Sequence, residues 1–156
     1  MSIATLLVPG RVLCNAEARS KKHALEILSE LLADCDPPIA PGSAFESLIA
    51  RERLGSTALD LGTAVPHGRV EGLESATAAV VKLATPIDFD APDDEPVSLL
   101  FGLLVPQECT DEHLADLAAI AKMLEDRKFR SELGEAASSR GLYDLIVEYS
   151  AQADGD

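Results

Sequence analysis

Apolar residues recur at helical spacing between positions 20 and 33, where Ala24, Leu25, Ile27, Leu28, Leu31 and Leu32 share one face and Ser20 stands as an N-cap. The spacing predicts an amphipathic helix ended by Asp36-Pro37-Pro38. A second helix is predicted to open at Ser43-Ala44-Phe45-Glu46, since a Ser and a Glu so placed satisfy two orphan backbone N–H groups reciprocally. It should run to Arg53 or Leu54 and stop at Gly55. The stretch 55–68 mixes turn residues with a short apolar run that reads as a buried strand ending at Pro66. Residues 77–83 and 97–105 carry runs of consecutive apolar residues rather than an alternation, which predicts strands covered on both faces. Thr110 is placed as the N-cap of a long helix whose apolar face includes Leu114, Leu117, Ile120, Ala121 and Leu124, with further helices at 130–137 and 141–149. Helices on both sides of two or more buried strands make an α/β sandwich the expected class. One domain over 1–150 and a flexible tail over 151–156 are expected.

Composition narrows the function. The 156 residues are 47% hydrophobic and 26% charged, enough for a buried core. Twenty-seven acidic residues against thirteen basic ones give a net charge of −14, which opposes binding to nucleic acid or to anionic lipid. The longest apolar stretch, 97–106, is far short of the roughly 20 residues of a membrane helix. Met1-Ser2-Ile3 does not begin a secretory signal, so a cytoplasmic location is expected. Cys14, Cys35 and Cys109 are odd in number and lack C-x-x-C spacing, which fits buried, inert thiols in a reducing compartment. Asp88, Asp90, Asp93, Asp94 and Glu95 lack the spacing of a calcium loop and read as a solvated turn. Neither a phosphate-binding loop, a dinucleotide fingerprint, a G-x-S-x-G elbow nor an H-E-x-x-H helix is present. No cofactor and no metal are expected.

Candidate chemistry gathers around the histidines. His23, in Lys21-Lys22-His23, reads as a surface residue. His67 follows an apolar run, between Pro66, which fixes its own φ, and Gly68, which has no Cβ to clash. Such a position suits a nucleophile or a ligand, although Pro-His-Gly alone selects neither. His113 follows Thr110-Asp111-Glu112 in the first turn of the long helix, where the positive helix end favours a neutral, hydrogen-bonding ring; an idle helix-start histidine fits the same text. Arg51, Arg53, Ser56 and Thr57 add guanidinium and hydroxyl donors of the kind that hold a phosphoryl group, although each alone reads as a solvated residue.

Two segments together, Arg51-Glu52-Arg53-Leu54-Gly55-Ser56-Thr57 and Gly62-Thr63-Ala64-Val65-Pro66-His67-Gly68, resemble the active-site signature of the fructose/mannitol-type IIA domains of the bacterial phosphotransferase system. Ser20-Lys21-Lys22-His23-Ala24-Leu25-Glu26, Thr85-Pro86-Ile87-Asp88-Phe89-Asp90-Ala91 and Pro96-Val97-Ser98-Leu99-Leu100-Phe101 resemble that family's nitrogen-regulatory branch. The resemblance implies a mixed, about five-stranded sheet between two helical layers. It implies that His67 accepts a phosphoryl group from a small phosphocarrier protein, HPr or its nitrogen-branch paralogue. His113 would then donate a hydrogen bond to a phosphoryl oxygen, and Arg51, Ser56, Thr57 and Gly68 would line the same pocket. Regulatory targets of the potassium-transporter or sensor-kinase type are implied as partners. Ala58-Leu59-Asp60-Leu61 replaces text that is glycine-rich in the family, and an inward Asp60 would oppose an anion. The alternatives are a IIA component relaying phosphate to a sugar permease, a binding module that never takes phosphate, and a metal hydrolase using His67, His113 and an acid.

Overall fold

The computed structural model describes residues 3–109 and 112–154, the side chains of 112–114 and 153–154 excepted. Strands β1 (Val12–Ala16), β2 (Thr63–Ala64), β3 (His67–Val70), β4 (Thr77–Ile87) and β5 (Val97–Pro106) form one sheet. The helices are α1 (Lys21–Ala33), α2 (Pro41–Arg53), α3 (Glu112–Glu125), α4 (Arg127–Glu135) and α5 (Ser139–Asp154).

β5 is the hub of a mixed sheet. It pairs antiparallel with β4 along one edge, and β4 pairs parallel with β1. Along its other edge β5 takes two short parallel partners in succession, β2 and then β3, with Thr63 opposite Leu99 and His67 opposite Leu103. Successive β5 side chains alternate between two cores. Leu100 and Leu104 pack with Leu25, Leu28, Leu32 and Leu48 of α1 and α2. Leu99, Phe101 and Leu103 pack with Ile120, Met123, Leu133, Leu142 and Ile146 of α3, α4 and α5. The result is the expected three-layer α/β/α sandwich.

Ser20 caps α1 as its spacing implied, its hydroxyl accepting from the His23 N–H. The capping box proposed for α2 is not formed. The helix starts at Pro41, whose missing N–H is one of the groups a helix start leaves unpaired anyway. Ser43 therefore lies inside the first turn, where its own N–H already donates to Ala40 O at 3.0 Å. Thr110 lies outside the described residues. β4 and β5 extend past their predicted ends to Ile87 and Pro106, α4 begins at Arg127 under an Asp126 cap, and α5 continues beyond Tyr149 to Asp154. The acidic turn after β4 is held by carboxylate bonds, one distant in sequence and one local: Asp93 accepts from the Leu61 and Glu95 N–H groups, and these bonds lower its pKa.

Candidate functional site

The edge strand is interrupted at Val65–Pro66, and the interruption makes the site. Thr57 O accepts from Val65 N–H at 3.0 Å, and Pro66 O accepts from Leu103 N–H at 3.0 Å. Val65's carbonyl instead lies 2.8 Å from the His67 Nδ1. A carbonyl can only accept, so Nδ1 carries a proton, and in the neutral ring the lone pair is on Nε2. The ring is thereby fixed in tautomer and direction. His67 thus opens β3 rather than closing the strand before it.

His67 lines a hollow of about 450 Å³ with Arg51 and Leu54 from the end of α2, Gly68 and Arg69 from β3, and Leu117 from α3. The structure so brings together three of the residues expected in the pocket: His67, Arg51 and Gly68. Arg51 donates from Nη1 to Gly55 O at 2.8 Å, which steadies the guanidinium and leaves its other N–H groups available. Arg69 donates to Cys109 O at 3.0 Å, tying the segment before α3 to the His67 strand. Leu54 is 84% exposed, so the rim of the hollow is apolar. The His113 side chain lies outside the described residues; its backbone is in α3, about one turn before Leu117.

Ser56 and Thr57 are not among the residues lining this hollow. The Ser56 hydroxyl donates to Phe89 O at 2.9 Å. Thr57 donates from N and Oγ1 to the two oxygens of Glu52, at 2.9 and 2.6 Å. Asp60 lines a separate hollow with Pro92 and Leu124, which shares no lining residue with the one at His67. Leu61 adopts φ 71°, a left-handed conformation that costs a non-glycine residue roughly 1–2 kcal/mol.

One element of the site was not singled out in the sequence. Glu52, with only 4% of its side chain exposed, receives Lys21 Nζ at 3.0 Å as well as the two Thr57 donors. Lys21 also lies 4.8 Å from the centre of the Phe89 ring and 3.3 Å from Asp90 Oδ2. A chain of contacts therefore runs from Lys21 through Glu52, Thr57 and Val65 to the His67 ring. The only sequence signal was a carboxylate between two arginines at a helix end.

A family described as phosphoenolpyruvate-dependent sugar phosphotransferase system, EIIA 2, matches residues 5–149. The chain belongs to that family. Among the EIIA 2 relatives, a nitrogen regulatory protein of Pseudomonas aeruginosa is 45% identical over 143 residues, covering 92% of this chain and 93% of its own. A fructose-specific EIIA component of Haloferax volcanii is 33% identical over 129 residues, covering 83% of this chain and 84% of its own. The crystal structure of nitrogen regulatory protein IIA-Ntr from Neisseria meningitidis superposes with a TM-score of 0.86 at 38% identity, over 92% of this chain and 98% of that one. The IIA mannitol structure from Escherichia coli shares the fold, with a TM-score of 0.74 at 21% identity over 90% of this chain and 98% of its own.

Gly68 of this EIIA 2 chain is required by close packing. A Cβ built on it would stand 2.0 Å from Ser47 Oγ and 3.0 Å from Ser47 Cβ, and that hydroxyl already donates to Arg69 O. Gly68→Ala is expected to push α2, and Arg51 with it, away from β3. A displacement near 1 Å at a reacting centre costs about 10²-fold in rate. A stopped-flow assay of phosphoryl acceptance should show that loss in Gly68→Ala and a partial recovery in Gly68→Ala/Ser47→Gly.

Proposed function

We propose that this chain is a phosphoryl-accepting regulatory protein of the nitrogen phosphotransferase system, charged on His67 by an HPr- or NPr-like carrier. The observation that carries the reading is the Nδ1–H bond to Val65 O, which leaves Nε2 as a fixed nucleophile in a hollow shared with Arg51. The Nε2 lone pair attacks the phosphorus and the bond to the carrier's histidine breaks. The ring gains positive charge as the P–N bond forms, and the Val65 carbonyl dipole stabilises it. Arg51 offsets charge on the phosphoryl oxygens, and His113 donates a further hydrogen bond from the start of α3. Gly68 lets α2 approach β3 closely enough to set Arg51 beside the ring. Ser56 and Thr57 reach a phosphoryl oxygen only by exchanging their present partners; as held, they brace the segment that carries Val65. Such a transfer needs alignment and charge stabilisation rather than a metal or a bound nucleotide.

The apolar rim formed by Leu54 and Leu117 suits docking of a small carrier protein around the ring. The chain would act stoichiometrically, its phosphorylated and free forms differing in how they engage transporter- or sensor-kinase-type targets. Added negative charge on the docking face favours release of an acidic or apolar contact. A cytoplasmic location accompanies this reading. No helix among the described residues is long and apolar enough to cross a membrane, and none of their His, Cys, Asp and Glu side chains cluster as a metal site.

The fructose-specific relative favours a second reading, relay of phosphate to a sugar permease. The two separate by carrier preference. Nitrogen-type and sugar-type carriers, each charged from phosphoenolpyruvate by its own first enzyme, should be offered in turn. The nitrogen-type carrier is expected to transfer at least about tenfold faster, a difference of about 1.4 kcal/mol. Faster transfer from the sugar-type carrier would replace the first reading with the second.

A further inference from the structure

A second concavity lies between α4 and residues of β2, β4 and β5. It encloses about 300 Å³ and shares no lining residue with the His67 hollow. Lys82, Arg127, Arg130, Ser98 and Ser131 line it, together with the Leu61–Thr63 segment, and no acidic residue is among its described lining. In a chain of thirteen basic and twenty-seven acidic residues, three cations meeting without a carboxylate is a departure from the surrounding charge.

Two of the three cations are held in place. Lys82 Nζ donates to Gly134 O and Ala136 O, both at 2.8 Å, at the end of α4. Arg130 donates from Nη1 to Leu124 O and Glu125 O, both at 2.9 Å, at the end of α3. These bonds use part of each donor set and leave one ammonium hydrogen and the far edge of the Arg130 guanidinium available. Arg127 is exposed and has no hydrogen bond or ion pair with a described residue. Two guanidinium forks, an ammonium and two hydroxyls around a space of this size match a tetrahedral dianion, because guanidinium pairs with phosphate through parallel hydrogen bonds. The volume is at the small end of ligand cavities.

We infer that this concavity binds a small phosphorylated anion, with Arg127 and Arg130 on its phosphate oxygens and Lys82, Ser98 and Ser131 completing the shell. The inference does not depend on the role given to His67. Its ligand is free phosphate or the phosphate of a small organic ester.

The test is a titration of the ¹⁵N-labelled full chain with inorganic phosphate, pyrophosphate and glycerol phosphate at low ionic strength, with sulfate as the size-matched control. Saturable shifts at the amides of Ser98 and residues 127–134 are expected, tighter for at least one phosphate than for sulfate. Tighter binding of glycerol phosphate assigns an organic ester, and tighter binding of phosphate or pyrophosphate assigns an inorganic one. Arg127→Gln and Ser131→Asp alter exposed positions, and each should weaken binding about tenfold while the melting temperature is kept. Arg130→Gln also removes a bond to the end of α3, so it is read only beside its own melting curve. Shifts confined to the His67 hollow, equal affinity for sulfate, or unchanged affinity in both exposed variants would overturn the inference. So would binding of an acidic peptide without any of the small phosphates.

Discussion

His67→Ala is expected to reduce phosphoryl acceptance by at least about 10³-fold while leaving the fold intact, because it removes the nucleophile itself. The ring makes one hydrogen bond to Val65 O, and β3 is held to β5 by its backbone ladder. Losing that side-chain bond costs about 1 kcal/mol, or roughly 2–4 °C in melting temperature for a chain of this size. His67→Gln should behave in the same way, since an amide can still donate to Val65 O but offers no basic nitrogen. Stoichiometric labelling from a charged carrier, read beside a melting curve, checks both parts. Label retained in His67→Ala would move the acceptor to another group.

The largest effect on stability is expected from Lys21→Met. Glu52 is nearly inaccessible, and Lys21 is its single cationic partner among the described residues. Removing one side of a buried ion pair destabilises by about 3–5 kcal/mol, since the remaining charge has lost water and counter-charge together. At roughly 2–4 °C per kcal/mol, the melting temperature should fall by about 6–20 °C. The Thr57 donors still face the carboxylate, which places the loss toward the lower part of that range. Adding Glu52→Gln should recover part of it, because a neutral amide keeps an oxygen for the Thr57 N–H and needs no cation. Thermal unfolding of the two single variants and the double variant provides the cycle. The same substitution should slow phosphorylation, because Thr57 holds Val65 and Val65 holds the His67 ring. A melting temperature unchanged in Lys21→Met would show that Glu52 is compensated by Thr57 alone.

What could be read beforehand follows the strength of each local signal. α1 was legible because six apolar residues repeat on one face and Ser20 has no competitor as a cap. β4 and β5 were legible because burial on both faces leaves a nearly continuous apolar run, interrupted only by Lys82 within 77–83 and by Ser98 within 97–105. β1 and β3 were not. β1 carries Asn15 at φ 61° between its register positions, and β3 is four residues with a glycine and an arginine among them. Both are held by pairing with distant strands, which no short window of sequence contains. The start of α2 was misplaced because Ser43 and Glu46 have the spacing of a capping box, while Pro41 ahead of them sets the first turn.

The site divides in the same way. His67, Arg51 and Gly68 were identified from the motif, and the structure places all three around one hollow. The inward turn of Ser56 and Thr57 was not visible, because it depends on Glu52 standing beneath them and on the Phe89 carbonyl from a remote turn. The bond from Arg69 to Cys109 O is likewise a consequence of folding that no motif encodes.

The central claim is that Nε2 of His67 is the acceptor and Nδ1 keeps its proton. Long-range ¹H–¹⁵N correlation spectra of the chain, phosphorylated by a charged nitrogen-type carrier, test it directly. A single phosphoramidate on Nε2 of His67, with Nδ1 still protonated, is the predicted result. Phosphate on Nδ1, or on His113 or His23, would contradict the account.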